Sequence, residues 1–295
     1  MSESDWLCNL CLHCATPSSP PACRCVACFA SPRNLTPCDH FARASDLGWN
    51  DIGFHDSRVL TPTLDRLAAE GVRLERHYVY RYCSPTRSSF LSGRLPYHDH
   101  QTNGGLFGSR FGTNLNMTLL PAKLQRAGYR TGMRGKWHCG FSRPEYMPSA
   151  RGFEDYAGNL MGGNDHFTQQ NGGAIDSWRS NADYDGPDRR NGTGYETFRL
   201  AADMIELIRA DDTRPLFLFA SLLVVHEPLQ APAELVAHYE RTQPDWCPKK
   251  HILAAMSSTA DNATAQIVGA LKEQNMWDNT VLVFASDSAS LSLLL

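Results

Sequence analysis

The chain has 295 residues, 42% of them hydrophobic, which is enough to bury one large core, or one domain and part of another, and argues against disorder as the default. Its 28 Lys and Arg against 31 Asp and Glu give a net charge of −3. That balance excludes a global basic field for nucleic acid or an anionic membrane, and no run of about eighteen apolar residues could span a bilayer, so any anionic substrate must be met by local positive groups.

Residues 1 to 45 sustain neither the helical nor the strand period, and Pro17, Pro20, Pro21, Pro32 and Pro37 interrupt what pattern there is. They are read as disordered or foreign to the fold. Seven of the ten cysteines crowd here, Cys8, Cys11, Cys14, Cys23, Cys25, Cys28 and Cys38. Their spacing could hold zinc, as in a zinc-binding adaptor, but lacks the paired two-knuckle arrangement of common zinc modules. Met1 to Ala30 has neither the basic start nor the apolar core of a secretory signal, so the chain itself is expected to stay in the cytosol. Sequons at Asn34, Asn116, Asn191 and Asn262 suit a glycoprotein, with Pro37 making the first a poor acceptor.

From Asp46 the character changes. Asp46-Leu47-Gly48-Trp49-Asn50-Asp51 reads as a loop, and Thr61 to Ala68 as a capped helix with Pro62 at its start and Gly71 as its end. Val72 to Tyr82 alternates enough to predict a strand running into Cys83. Leu119 to Ala127 is an amphipathic helix ending at Gly128, followed by the strand-like Tyr129 to Arg134 and the loop Gly135 to Gly140. Residues 141 to 193 are rich in Gly, Asn and Asp and predict a long decorated loop region, and Gly194 to Ala210 returns to helical spacing. Pro215 to Val225 is a continuous apolar run, as for a strand buried on both faces. Helices are expected over 232–241 and 252–274, then a second apolar strand, Thr280 to Ser286.

Helix alternating with buried strand predicts an α/β fold with a mostly parallel central sheet covered on both faces. Function in such sheets gathers at the carboxyl ends of strands, and Cys83, His138, His226 and Asp287 each follow a predicted strand.

The most informative stretch is Cys83-Ser84-Pro85-Thr86-Arg87-Ser88-Ser89-Phe90-Leu91-Ser92-Gly93-Arg94. Pro85 suits a first helical turn and Gly93 a C-terminal cap, so Cys83 sits at the positive end of a short helix with Arg87 one turn on, an arrangement biased towards anionic chemistry. The whole string resembles the sulfatase signature C-x-P-x-R-S-x-x-x-(S/T)-G-R, whose Cys is oxidised to formylglycine after synthesis. In chain order, Asp46-Leu47-Gly48-Trp49 is similar to the metal loop D-D-L-G-W, Gly135-Lys136-Trp137-His138 to G-K-W-H, Arg151-Gly152-Phe153 to the R-G-F turn, Val225-His226-Glu227-Pro228 to V-H-x-P, and Ser286-Asp287 to the second metal loop. The wording N-D-I-G-F-H with V-H-E-P-L-Q looks most like the arylsulfatase B type of N-acetylgalactosamine 4-sulfatase.

The resemblance implies an alkaline-phosphatase-like sulfatase domain over 46–287 that hydrolyses a sulfate ester of a saccharide or aryl alcohol. It implies catalytic roles for Cys83, Arg87, Lys136, His138 and His226. Lys136 would stabilise the transferring group, His226 would protonate the departing oxygen, His138 would act on the diol hydroxyl of the hydrated aldehyde, and Arg87 would hold the diol and nearby carboxylates. It further implies one calcium ion near Asp46, Cys83 and Asp287, a formylglycine-generating enzyme for maturation, and a lysosomal or extracellular site of action.

This sequence departs from the pattern in having Ser45-Asp46 for paired aspartates and Asp287-Ser288 for Asp-Asn. Losing one carboxylate and one amide should weaken a calcium site, with the Ser45 and Ser288 hydroxyls or water filling the gap. Thr36 to Ala44, with Pro37 and two charged residues, is a poor substitute for the family's buried first strand. The segment 288–295 reads as an off-pattern apolar tail where a C-terminal subdomain is expected. The reading is therefore an incomplete or altered sulfatase, with a catalytically impaired sulfatase-like binder as its rival.

Overall fold

A seven-stranded sheet in the order β7-β6-β3-β2-β8-β1-β9 organises the described residues of the computed structural model, which are 38–99, 112–190 and 192–288. The strands are β1 (Cys38–Ala44), β2 (Arg130–Gly135), β3 (Asp155–Gly158), β6 (Trp178–Ser180), β7 (Asp185–Pro187), β8 (Leu216–Ser221) and β9 (Thr280–Ser286), with a separate hairpin of β4 (Gln170–Asn171) and β5 (Ala174–Ile175). The cysteine-rich segment 1–37, the sequons at Asn34 and Asn191 and the tail 289–295 lie outside the described residues. The sequon residues Asn116 and Asn262 are both exposed.

The five strands β3, β2, β8, β1 and β9 run parallel, and β6 and β7 add an antiparallel edge. The helices are α1 (Pro62–Glu70), α2 (Cys83–Ser92), α3 (Pro96–Asp99), α4 (Leu120–Arg126), α5 (Glu196–Arg209), α6 (Ala233–Thr242) and α7 (Pro248–Glu273). Successive residues of a strand face opposite ways, and β8 shows why its sequence is apolar throughout. Leu216, Leu218 and Ala220 enter a core with Leu200, Met204 and Ile208 of α5 and Met256, Ile267 and Leu271 of α7, whereas Phe217 and Phe219 enter a second core with Leu91 of α2, Met133, Trp137 and Phe153. Both faces are covered, as the pattern predicts.

Three expectations are corrected. Cys38–Ala44 is not outside the fold: it is the strand between β8 and β9, in parallel register from Asp39 opposite Phe217 to Arg43 opposite Ser221, and from Cys38 opposite Thr280 to Ala44 opposite Ser286. Backbone ladders on both sides supply what its own pattern does not. Val72 to Tyr82 forms no strand, because its apolar side chains have no sheet to face; Leu74, Tyr78 and Tyr80 are exposed. Cys83 is therefore reached from irregular chain rather than from a strand. The segment 141–193 is more than loop, since it supplies β3, β6 and β7, strands of three or four residues that are too short to show a period. Among the described residues no helix is long and apolar enough to cross a membrane.

Candidate active site

Every sequence-predicted site residue falls at the carboxyl edge of the parallel strands or at the start of α2. Ser45 and Asp46 follow β1, Lys136 and His138 follow β2, His226 lies beyond β8, and Asp287 and Ser288 follow β9. The apolar residues 222–225 leave the β8 ladder and pair instead with the turn after β1, through Ser45 N–H to the Val224 carbonyl at 2.8 Å and Val225 N–H to the Ser45 carbonyl at 2.7 Å. That exchange anchors the backbone on which Asp46, with φ of 58°, is presented.

Helix α2 starts at Cys83 because Pro85, lacking an N–H, stands in the first turn, where intrahelical partners are absent. It ends on Gly93, whose φ of 66° is the left-handed cap conformation. Arg87, one turn after Cys83, is wholly buried. Its Nε and Nη2 donate to Asp287 Oδ2 at 2.8 and 2.6 Å, and its Nη1 donates to the Lys136 carbonyl at 2.6 Å and to Ser221 Oγ at 2.5 Å. The guanidinium thus ties α2, β9 and the turns after β2 and β8 together, and its described bonds run to the protein itself.

Around it the remaining groups converge. Lys136 Nζ, buried, donates to Ser45 Oγ at 3.0 Å and lies 4.0 Å from Asp287 Oδ2. Ser45 Oγ is 3.3 Å from both Asp287 oxygens, and Asp46 N–H donates to Asp287 Oδ1 at 3.2 Å. Cys83 Sγ lies 3.7 Å from Asp46 Oδ1, which also accepts from Ser288 Oγ, and His226 Nε2 lies 3.6 Å from Asp46 Oδ2. His226 Nδ1–H donates to the Glu227 carbonyl at 2.7 Å, which directs Nε2 into the site.

His138, with φ of 53°, has a buried Nδ1 without a hydrogen-bond partner. Burial, with Lys136 and Arg87 nearby, holds it well below the usual imidazole range, so its ring is neutral. Burial also lowers His226, helped by Lys136 and opposed by Asp46. For Cys83, burial pushes the thiol up, Lys136 and Arg87 pull it down, and burial wins. The helix start and Arg87 do not overcome desolvation and the carboxylates of Asp287 and Asp46, so the unconverted Cys83 side chain is held towards the neutral thiol.

The donor set suits a hard divalent cation. Two buried carboxylates, Asp46 and Asp287, meet with the Ser45 and Ser288 hydroxyls, and the ligand atoms of Asp46, Cys83 and His226 all lie within 4.8 Å of one another. Oxygen donors of this kind are those calcium and magnesium take.

Pattern reading missed several contributors. Ser221 bridges Arg87 and the Lys136 carbonyl, to which its Oγ donates at 2.8 Å. His166 donates from Nε2 to the His226 carbonyl at 3.0 Å. Gly162 and Gly163 lie against the two histidine rings: an added Cβ would fall 2.6 Å from His138 Cε1 and 2.7 Å from His226 Cε1. The glycine pair was the one available signal, and it lay in a Gly-rich stretch that reads as loop.

The sulfatase family model matches residues 44–290. Arylsulfatase J of Mus musculus is 37% identical over 265 residues, covering 84% of this chain and 42% of that protein. N-acetylgalactosamine-6-sulfatase of Canis lupus familiaris is 27% identical over 267 residues, covering 83% of this chain and 48% of that protein. Among solved structures, Ps i-CgsB in complex with k-i-k-neocarrahexaose superposes with a TM-score of 0.76 at 28% identity, over 86% of this chain and 58% of that one. The chain thus spans less than half the length of these curated relatives and carries the alkaline-phosphatase-like sulfatase architecture. With the signature on α2 and the converging groups around it, the chain belongs to the sulfatase family.

Proposed function

We propose that this chain carries the reaction centre of a sulfuric ester hydrolase acting on a sulfated saccharide, maturing through a formylglycine-generating enzyme and working in a lysosomal or extracellular setting. The observation that carries the reading is the mutual contact of Cys83, Lys136, His226, Asp46 and Asp287, with His138 in electrostatic reach of Lys136, Asp287 and His226, in the family's motif order. The saccharide is supported by the relatives' sulfated-sugar names and the carrahexaose bound by Ps i-CgsB, and the finer N-acetylgalactosamine 4-sulfatase type by N-D-I-G-F-H and V-H-E-P-L-Q.

Converted to formylglycine, Cys83 would supply a hydrated aldehyde oxygen as nucleophile. Asp46 and Asp287, with the Ser45 and Ser288 hydroxyls, would hold one calcium ion, which supplies positive charge against the sulfuryl oxygens. Lys136 Nζ, in a water-excluded position, offsets negative charge as it develops on the transferring group. With Nδ1–H committed to the Glu227 carbonyl, His226 would deliver a proton to the departing oxygen from Nε2 only as the doubly protonated imidazolium, a form that the neighbouring Asp46 carboxylate favours against burial. His138, kept neutral, would accept the proton of the second diol hydroxyl as the carbon–oxygen bond to the sulfate group breaks, so that sulfate leaves and the aldehyde is regenerated. Arg87 holds Asp287 and the Lys136 carbonyl, which positions the turn bearing Lys136.

The test is expression through a secretory pathway with the converting enzyme, followed by assay on a chromogenic aryl sulfate and on sulfated galactosamine oligosaccharides. Hydrolysis released with the aldehyde form supports the reading, and converted protein without hydrolysis removes it. The second reading, a non-hydrolytic sulfatase-like binder, is favoured by Ser45 and Ser288; saccharide binding by converted but inactive protein would select it.

A further inference from the structure

Two short runs of chain lie side by side beyond the ends of β2 and β3. Trp137 N–H donates to the Asn159 carbonyl at 2.9 Å and His138 N–H to the Leu160 carbonyl at 3.1 Å, so residues 159 and 160 continue the pairing of β2 with β3 as far as His138. At the far side of that strip stands one carboxylate. Asp176 Oδ1 accepts Leu160 N–H at 2.9 Å and Oδ2 accepts Met161 N–H at 3.0 Å. Asp176, Leu160 and Met161 are all buried, so water cannot replace these bonds and their loss leaves two amides without partners.

The next two residues are Gly162 and Gly163, which touch the His138 and His226 rings where side chains would collide. The strip is held again beyond them, by Asn171 Nδ2 donating to the Gly163 carbonyl and by Asn164 Nδ2, which is 3.3 Å from both the Asp176 carbonyl and Glu196 Oε1. Beyond the His138 N–H bond to Leu160, its position is therefore set by polar side chains that touch neither histidine ring.

We propose that Asp176 is a positioning residue for both histidines, its carboxylate fixing residues 160–161 so that Gly162 and Gly163 form the wall that orients the His138 and His226 rings. Its catalytic consequence rests on the sulfate-ester reading, whereas the geometric statement does not. Misplacement of a reacting group by about 1 Å costs on the order of 100-fold in rate.

The test is Asp176→Asn in the full chain, in which one acceptor becomes an amide donor facing a backbone N–H. Expected are a fall in kcat of about 10- to 100-fold with KM within about threefold, a displaced pH–rate profile, and shifted histidine ring signals by NMR. Wild-type kcat together with unshifted His138 and His226 signals overturns the proposal. If the converted wild-type chain hydrolyses nothing, the ring signals alone decide: shifted signals support the positioning role while the hydrolase reading fails. Should Asp176→Asn not fold, Asp176→Glu, which keeps both acceptors one methylene further out, is read the same way.

Discussion

Arg87 Nη2 lies 2.6 Å from Asp287 Oδ2 with both side chains wholly buried, which joins the first turn of α2 to the end of the last described strand, 200 residues away. Breaking such a pair leaves an uncompensated charge in the interior. Arg87→Ala should therefore lower unfolding stability by about 3–5 kcal/mol, measured by urea denaturation. Arg87→Lys should recover only part of it, because an ammonium cannot make the paired bonds to Asp287 while also reaching Ser221 and the Lys136 carbonyl. A loss under about 1 kcal/mol for the alanine variant would show that the pair does not hold this junction.

Cys83 predicts a chemical outcome. As a buried neutral thiol beside Asp46 it is a poor nucleophile, so activity should follow its conversion rather than its presence. Mass spectrometry of the tryptic peptide carrying Cys83 separates aldehyde from thiol. Hydrolytic rate should scale with the aldehyde fraction, and Cys83→Ala should be folded and inactive. Activity in protein carrying the thiol alone would contradict this.

At the proposed cation site, Ser45 Oγ is 3.0 Å from Lys136 Nζ and 3.3 Å from the Asp287 oxygens. Ser45→Asp adds a third carboxylate there. Without a cation the variant should be less stable than wild type, since like charges are brought together in a buried place; with calcium it should gain more stability than wild type does. Thermal midpoints with and without calcium, for Ser45→Asp alone and with Ser288→Asn, give the comparison. Equal calcium shifts in wild type and variants would argue against Ser45 and Ser288 as the weak points of the site.

Glu196, at the start of α5, is fully buried and its carboxyl is pushed up to about 7 by desolvation, with Asn164 pulling it down. Its Oε2 has no partner, so ionisation there is uncompensated. The folded state keeps this proton to about pH 7 while the unfolded chain releases it near the ordinary 4.5. Its stabilising contribution is complete below the unfolded value and is lost as pH rises through the folded one. Glu196→Gln has no such loss and should gain on wild type by on the order of 3 kcal/mol between pH 4.5 and 7.5. The buried histidines, lowered by burial, act in the opposite sense in both proteins and cancel in the difference. Denaturation curves across that range check it; a constant gap would place Glu196 in contact with water.

Much of this molecule is written locally in its sequence. The runs that became β8 and β9, the helices α1, α4, α5 and α7, and the start and stop of α2 at Pro85 and Gly93 all follow from hydrophobic period and capping chemistry, which neighbouring residues decide among themselves. The motif order on those elements was enough to nominate Cys83, Lys136, His138, His226, Asp46 and Asp287. Other features belong to the tertiary structure alone. Cys38–Ala44 is a central strand because β8 and β9 flank it with hydrogen-bonding edges, and no residue within it announces that. Ser221 and Asp176 act by bonding chain that lies 15 to 134 residues away, and the Cys83 sulfur stays protonated because burial outweighs the nearby cations. Pairing across the sheet and the cost of removing charge from water depend on what is brought near, which only the folded chain decides.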